Sequence, residues 1–184
     1  TQLEYDDDFN LTNLILPDGG TYKMKYDAQG NLIETVDPRG FIISMSYTEL
    51  GRLATLRDAL LNKTQFSYDG AGNLIAIAYP DGSAESFRSD AVGNLIGFTN
   101  RRGQTITFAY NALGQIVRKD YSDGRSVAYD YDAAGRLTKV EDASGAILMV
   151  YDNRGFLTRI EYPSGHWFTF EYNDAGLRTK RTGD

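Results

Sequence analysis

Apolar and polar residues alternate along this chain, and the alternation restarts at a fixed interval. Two places before a recurring Tyr position stand Met24, Met45, Phe66, Phe87, Phe108, Tyr129, Met149 and Phe170. Four places before it stand Tyr22, Ile43, Thr64, Glu85, Ile106, Val127, Ile147 and Phe168, whereas the place just before it reads Lys25, Ser46, Ser67, Arg88, Ala109, Asp130, Val150 and Glu171. A period of two predicts β-strands with one packed face and one mostly wet face. The strand that follows is less regular. The Leu six places after the Tyr and the apolar column nine places after it (Leu14, Leu56, Ile77, Phe98, Val140, Ile160) have opposite parity. Either that Leu belongs to the turn or a bulge separates the two.

The Tyr position recurs at Tyr5, Tyr26, Tyr47, Tyr68, Ser89, Tyr110, Tyr131, Tyr151 and Tyr172, with a spacing of 21 residues throughout except for 20 between Tyr131 and Tyr151. A turn glycine follows four places later at Gly30, Gly51, Gly72, Gly93, Gly114, Gly135 and Gly155, and again at Gly176, while Phe9 stands in its place in the first copy. A fixed period over the whole length means one supersecondary unit stacked on itself. The expectation is therefore a single run, residues 1–184, of eight to nine repeats.

Each repeat carries two reversals. One is the Tyr-Asp-x-x-Gly segment, in which Asp27, Asp69, Asp90, Asn111, Asp132, Asp152 and Asn173 are placed to cap the turn. The other is a short loop such as Asp37-Pro38-Arg39-Gly40, Pro80-Asp81-Gly82 or Ser122-Asp123-Gly124, closing on a residue of positive φ. In one copy Leu61 and Asn62 occupy the glycine slot, and the expectation is that Asn62 takes the left-handed conformation with the loop shifted by one residue. Short connections leave no room for crossover helices. The fold class is all-β: an antiparallel meander of repeated β-hairpins, about sixteen strands with a repeat of about 21 residues, curling into a spiral, shell-like sheet.

Composition narrows the partners. A net charge of −6 argues against nucleic acid or an anionic membrane as the main partner. No apolar run approaches the roughly 20 residues of a membrane-spanning helix, so direct membrane insertion is not expected. The absence of Cys excludes a disulfide framework and thiol chemistry. The apolar face must meet something, whether itself by curling, further repeats of the same protein, another copy or a cargo, because leaving it in water is unfavourable by about 25 cal/mol per Å². The chain is accordingly expected to be a fragment of a larger shell or to be completed by another chain.

At the level of motifs the chain resembles the YD-repeat, or RHS-repeat, family. Tyr26-Asp27-x-x-Gly30-Asn31-Leu32, Tyr68-Asp69-x-x-Gly72-Asn73-Leu74, Tyr131-Asp132-x-x-Gly135-Arg136-Leu137 and Tyr151-Asp152-x-x-Gly155-Phe156-Leu157 carry the resemblance. It implies a spiral of hairpins that in longer members forms a hollow shell. Such shells enclose a toxin in bacterial polymorphic toxins and toxin complexes, and form a barrel in teneurin adhesion proteins. An extracellular or cell-surface location follows from the resemblance, with any signal lying outside this chain. The family's self-cleaving segment is built around Asp-Pro-x-Gly. Asp37-Pro38-Arg39-Gly40 matches those four positions but lies in phase with the other loops, so it reads as an ordinary turn.

Candidate chemistry is sparse. The single His166 sits at a hairpin turn with no Ser or carboxylate column to complete a nucleophile and base. Asp6-Asp7-Asp8 lacks the spacing of a calcium loop. No catalytic residue, metal site or cofactor is expected. The residues put forward as packing or ligand-facing are the aromatics Tyr26, Tyr47, Tyr68, Phe87, Phe108, Tyr110, Tyr129, Tyr131, Tyr151, Phe170 and Tyr172. Two functions are open to them. One is a non-enzymatic shell segment that encloses a polypeptide cargo or presents an adhesion surface; the other is a carbohydrate-binding module that stacks a glycan on the aromatic face.

Overall fold

The computed structural model describes all 184 residues, and they form strands and turns without a helix. The strands group into two compact units, residues 1–88 with 100–102, and residues 89–99 with 103–184. The first unit carries β1 (Gln2–Tyr5), β2 (Leu11–Ile15), β3 (Thr21–Tyr26), β4 (Leu32–Val36), β5 (Ile42–Tyr47), β6 (Leu53–Arg57), β7 (Lys63–Tyr68), β8 (Leu74–Ala78) and β9 (Ala84–Ser89), Ser89 excepted. The second carries β10 (Leu95–Thr99), β11 (Thr105–Tyr110), β12 (Ile116–Tyr121), β13 (Ser126–Tyr131), β14 (Leu137–Asp142), β15 (Gly145–Tyr151), β16 (Leu157–Glu161), β17 (Trp167–Tyr172) and β18 (Arg178–Gly183).

Within the first unit every strand pairs antiparallel with its sequence neighbour, from β1 with β2 to β8 with β9. The second unit is built the same way from β10 to β18. Strand-to-strand contacts in each unit run between sequence neighbours. The count is eighteen strands rather than about sixteen. The difference lies at the ends, where Gln2–Tyr5 and Arg178–Gly183 also pair. Arg178–Gly183 has no apolar residue at all, whereas Gln2–Tyr5 carries Leu3 and Tyr5 at the column positions; backbone hydrogen bonding pairs both alike.

The parity break is a bulge. Lys25 pairs with Glu34 but Tyr26 pairs with Leu32, so Ile33 is the extra residue. The same shift occurs ahead of Tyr5, Tyr47, Tyr68, Tyr110, Tyr131, Tyr151 and Tyr172. Where the extra residue is Thr, its hydroxyl reaches the partner strand, as from Thr138 to the Asp130 carbonyl (3.1 Å) and from Thr158 to that of Val150 (3.1 Å). Thus the Leu and the apolar column three places beyond it face the same side despite their odd spacing.

Both kinds of reversal close in the same way. Gly30 N–H donates to Asp27 O (3.0 Å) and Asp27 N–H to Asn31 O (2.9 Å); Gly40 N–H donates to Asp37 O (2.9 Å) and Asp37 N–H to Phe41 O (3.0 Å). This is the three-residue hairpin loop that ends in a left-handed residue. The expected shift at Asn62 does not occur. Leu61 itself takes φ 65°, its N–H donates to Asp58 O (2.9 Å), and Asn62 instead donates its side-chain amide to Asp58 Oδ2 (2.9 Å). The flanking bonds hold the loop in register and the leucine bears the strain. Phe9 does likewise at φ 64°. The 20-residue interval also has a cause: Asp142 pairs directly with Gly145, so that hairpin turns on Ala143 and Ser144 alone.

No hydrophobic side chain is buried. Burial instead alternates, as in β11, where Ile106, Phe108 and Tyr110 are half-buried between exposed neighbours. The meanders are single layers whose apolar columns pack side by side within one face.

Candidate functional site

The tyrosine column does more than pack. Each hydroxyl reaches back across its strand pair to the carbonyl of the bulge-flanking residue one repeat earlier: Tyr26 to Leu11 (3.0 Å), Tyr47 to Leu32 (2.8 Å) and Tyr68 to Leu53 (2.9 Å) in the first unit. In the second unit Tyr110 reaches Leu95 (2.7 Å), Tyr131 reaches Ile116 (2.9 Å), Tyr151 reaches Leu137 (2.8 Å) and Tyr172 reaches Leu157 (2.9 Å). A bulge interrupts the ladder, and the phenol supplies a donor at that interruption. Seven of the predicted aromatics therefore share one structural task. Ser89 carries no phenol.

The residue beside each of these tyrosines, Asp in most copies and Thr48, Asn111 or Asn173 in the others, is a turn cap. Asp27 Oδ1 accepts from the N–H groups of Gln29 (3.0 Å) and Asn31 (2.9 Å), and Oδ2 accepts from the Asn31 side-chain amide (3.0 Å). That amide is the largest cause holding the Asp27 carboxyl below its ordinary range, with the two backbone donors adding to it against the cost of burial. At Asp132 the Arg136 guanidinium plays the leading part, bonding Oδ2 through Nε (2.6 Å). Asp37 of the Asp-Pro-x-Gly segment is capped identically, by Arg39 N–H (2.8 Å) and Phe41 N–H (2.9 Å); burial pushes its pKa up, but these donors outweigh it and the net shift is downward. Its geometry is that of the other loops.

A further column escaped the sequence reading, the residue directly after each Tyr-Asp-turn glycine. Where it is Asn its amide bonds back to the Asp of its own turn, as Asn73 to Asp69 (3.0 Å), and where it is Gln, Arg or Phe it leans forward onto the next repeat. Gln115 Nε2 donates to Gly135 O (2.8 Å), Arg136 Nη1 to Asp152 O (3.0 Å) while lying 4.9 Å from the Tyr151 ring centroid, and Phe156 stacks on Tyr172 with centroids 4.9 Å apart. The Arg52 guanidinium passes directly over Gly72. What requires glycine at position 72 is its positive φ of 90°, since the guanidinium tip crossing it can move aside. The only sequence signal is that this position is polar or aromatic and long or planar in most copies.

The second aromatic column faces the same side as the tyrosines. Met45 pairs with Leu56, Phe66 with Ile77, Tyr129 with Val140 and Met149 with Ile160, so apolar side chains meet across these four strand pairs. Phe108 pairs with Lys119 and Phe170 with Arg181. Phe87 is half-buried in the same column of β9. The opposite face carries ion pairs, such as Lys25 with Glu34 (2.7 Å) and Lys180 with Glu171 (2.9 Å). His166 lies exposed, its Nδ1 3.6 Å from Asp184 Oδ1. Asp6 is a turn cap that accepts from Asp8 N–H (3.1 Å) and Asn10 N–H (2.8 Å).

The repeat geometry, with tyrosine interlock, Asp cap and glycine reversal, agrees with comparison to known proteins. The family model described as RHS Repeat matches residues 26–62, 47–84, 90–125 and 110–147, more than half of the chain. The chain belongs to the RHS-repeat family. Among solved structures, this run of RHS repeats is similar in fold to a Photorhabdus luminescens Tc holotoxin pore carrying a TccC3 mutation, with a TM-score of 0.65 and 15% identity over 97% of this chain. It is similar also to the crystal structures of TcdB2-TccC3-Cdc42 (TM-score 0.64, 16% identity, 98% of this chain) and TcdB2-TccC3 (TM-score 0.63, 16% identity, 98% of this chain). At such identities the likeness concerns the fold. The RHS repeats described here span only 13% to 14% of the length of those chains. No curated protein sequence matches the chain.

Proposed function

We propose that this chain is a non-enzymatic segment of a secreted or cell-surface β-hairpin shell, whose apolar face is turned toward an enclosed polypeptide cargo such as a toxin domain. One observation carries the reading. Each meander presents columns of Met, Phe, Tyr and Ile on one face, yet no hydrophobic side chain is buried by a second layer. A surface of that kind calls for an occupant. The membership of the RHS-repeat family and the fold shared with Tc toxin components support a shell over an isolated module. No observation favours the saccharide-stacking alternative.

Electron cryo-microscopy of the full-length protein tests this. The reading expects the repeats to line a cavity with Phe66 and Phe108 facing polypeptide density from elsewhere in the chain or from a partner. It fails if the apolar face is covered by a packed domain of the same wall, leaving no enclosed space.

A further inference from the structure

The loop Asp58-Ala59-Leu60-Leu61 departs from every other reversal of its kind. Its glycine slot holds Leu61 at φ 65°, and Leu60 and Leu61 are 78% and 73% exposed. A residue with a Cβ pays conformational strain in that region, as Phe9 does in the first reversal, and here the strain comes with two adjacent exposed leucines. The loop also borders a groove. Between it and the preceding loop, Asp37 to Gly40, a trough of about 420 Å³ is lined by Tyr22, Ile43, Phe41 and Leu60, with the Arg39 guanidinium lying 5.1 Å from the Phe41 ring centroid at its edge. Tyr22, Phe41 and Ile43 are 39%, 49% and 40% exposed, so the apolar lining is open to solvent along with the two leucines.

Charge at the trough is negative. Asp37 is paired with Arg39 (3.4 Å), but Asp58 takes its hydrogen bonds only from neutral groups, the N–H of Leu60 (2.8 Å), the N–H of Asn62 (2.9 Å) and the Asn62 amide (2.9 Å). The surrounding unit holds 9 Lys and Arg against 13 Asp and Glu, a net of −4. The trough is open and carries a protruding apolar tip, unlike an enclosed small-molecule pocket, and an apolar centre edged by charge is the anatomy of a protein interface.

We infer that the groove between the Asp37–Gly40 and Asp58–Leu61 loops docks an apolar segment of a partner polypeptide that carries Lys or Arg beside its hydrophobic residues. The apolar side chains of the segment enter between Tyr22, Ile43, Phe41 and Leu60, and its cation meets Asp58. Leu61 extends the apolar tip, at the cost of its own backbone conformation. The groove's lining residues Tyr22 and Ile43 belong to the apolar face of the first unit, so the inference rests on the reading of that face as a binding surface; peptide binding by the chain itself is separate from whether the full-length protein encloses a cargo.

The test uses the whole chain and two fluorescent peptides of equal length, one alternating leucine and lysine, the other leucine and glutamate. Anisotropy is expected to show binding of the lysine peptide only, weakened at least about tenfold by Leu60→Ser and by Asp58→Asn. Methyl resonances of Ile43 and Leu60 are expected to shift on titration. Leu61→Gly separates docking from folding, because it is expected to raise the melting temperature while weakening the peptide. Equal binding of both peptides, no binding, or shifts confined to other strands would overturn the inference. So would self-association abolished by Leu60→Ser, or uptake by phosphatidylcholine vesicles in preference to the peptide, since a second copy or lipid would then be the occupant.

Discussion

The hydroxyl of Tyr131 donates to the carbonyl of Ile116, 15 residues earlier, at 2.9 Å. That bond joins one repeat to the one before it at the bulge in the ladder, and it explains why the ring at this position is tyrosine rather than phenylalanine. Replacing Tyr131 by Phe keeps the ring and removes the donor. Urea unfolding is expected to show a loss of about 1 kcal/mol, approaching about 3 kcal/mol if the half-buried carbonyl finds no water. Tyr47→Phe should do the same for its bond to Leu32, whereas Tyr121→Phe, outside the column, should be near neutral.

Gly72→Ala is expected to destabilise by about 1–2 kcal/mol through its positive φ, because the Arg52 guanidinium that a Cβ would meet is the end of a flexible side chain and can move aside. In the Arg52→Ala background the loss should be unchanged. A double-mutant cycle with a coupling clearly above about 0.5 kcal/mol would show that the arginine is held over the glycine.

Phe9 is 86% exposed and held at φ 64°. Phe9→Gly removes the strain without removing packing, so thermal unfolding should occur at higher temperature, by the equivalent of about 1 kcal/mol.

The turn caps set the pH dependence. Carboxyls of Asp27, Asp58, Asp69, Asp90 and Asp132 lie below their ordinary value of 3.8, each chiefly through a side-chain hydrogen bond from the residue four places on. Asp81, bonded first by the Ser83 hydroxyl and also by the Arg101 guanidinium, falls to about 2. Depressed folded-state values mean that the stabilisation is fully present above the unfolded-state value and is lost as pH falls through the folded-state one. The melting temperature should therefore be level with respect to these groups from neutrality to about pH 5 and decline between about pH 4 and pH 2. Asp81→Asn should flatten the lowest part of that decline.

Much of this was legible in the sequence because it is periodic. The Met24-to-Phe170 column named the packed face, the Tyr-Asp-x-x-Gly heptads named the reversals, and Asp27 and its counterparts were recognisable as caps. What remained hidden depends on geometry between repeats. Tyr131 and Ile116 are far apart in sequence, and only the bulge brings the hydroxyl to the carbonyl. The lean of Arg52 over Gly72 has no local signature, since Asn, Arg, Gln and Phe all serve at that position. Leu61 misled because propensity assigns positive φ to the neighbouring Asn62, while the flanking Asp58 bonds fix the register and leave the leucine no choice. The last strand is not legible in the sequence because Arg178–Gly183 pairs through its backbone with no apolar column to announce it.

The central claim is that one face of these repeats is kept apolar for an occupant and the other is not. Site-specific photo-crosslinking of the full-length protein tests it directly, with a benzophenone side chain placed at Phe66 or Phe108 on the apolar face and at Ser67 or Ala109 on the opposite face. The account predicts that the apolar-face probes capture a polypeptide segment lying outside the repeats in sequence, and that the opposite-face probes capture none. Equal capture from both faces, or capture of nothing but adjacent repeat strands by Phe66 and Phe108, would contradict it.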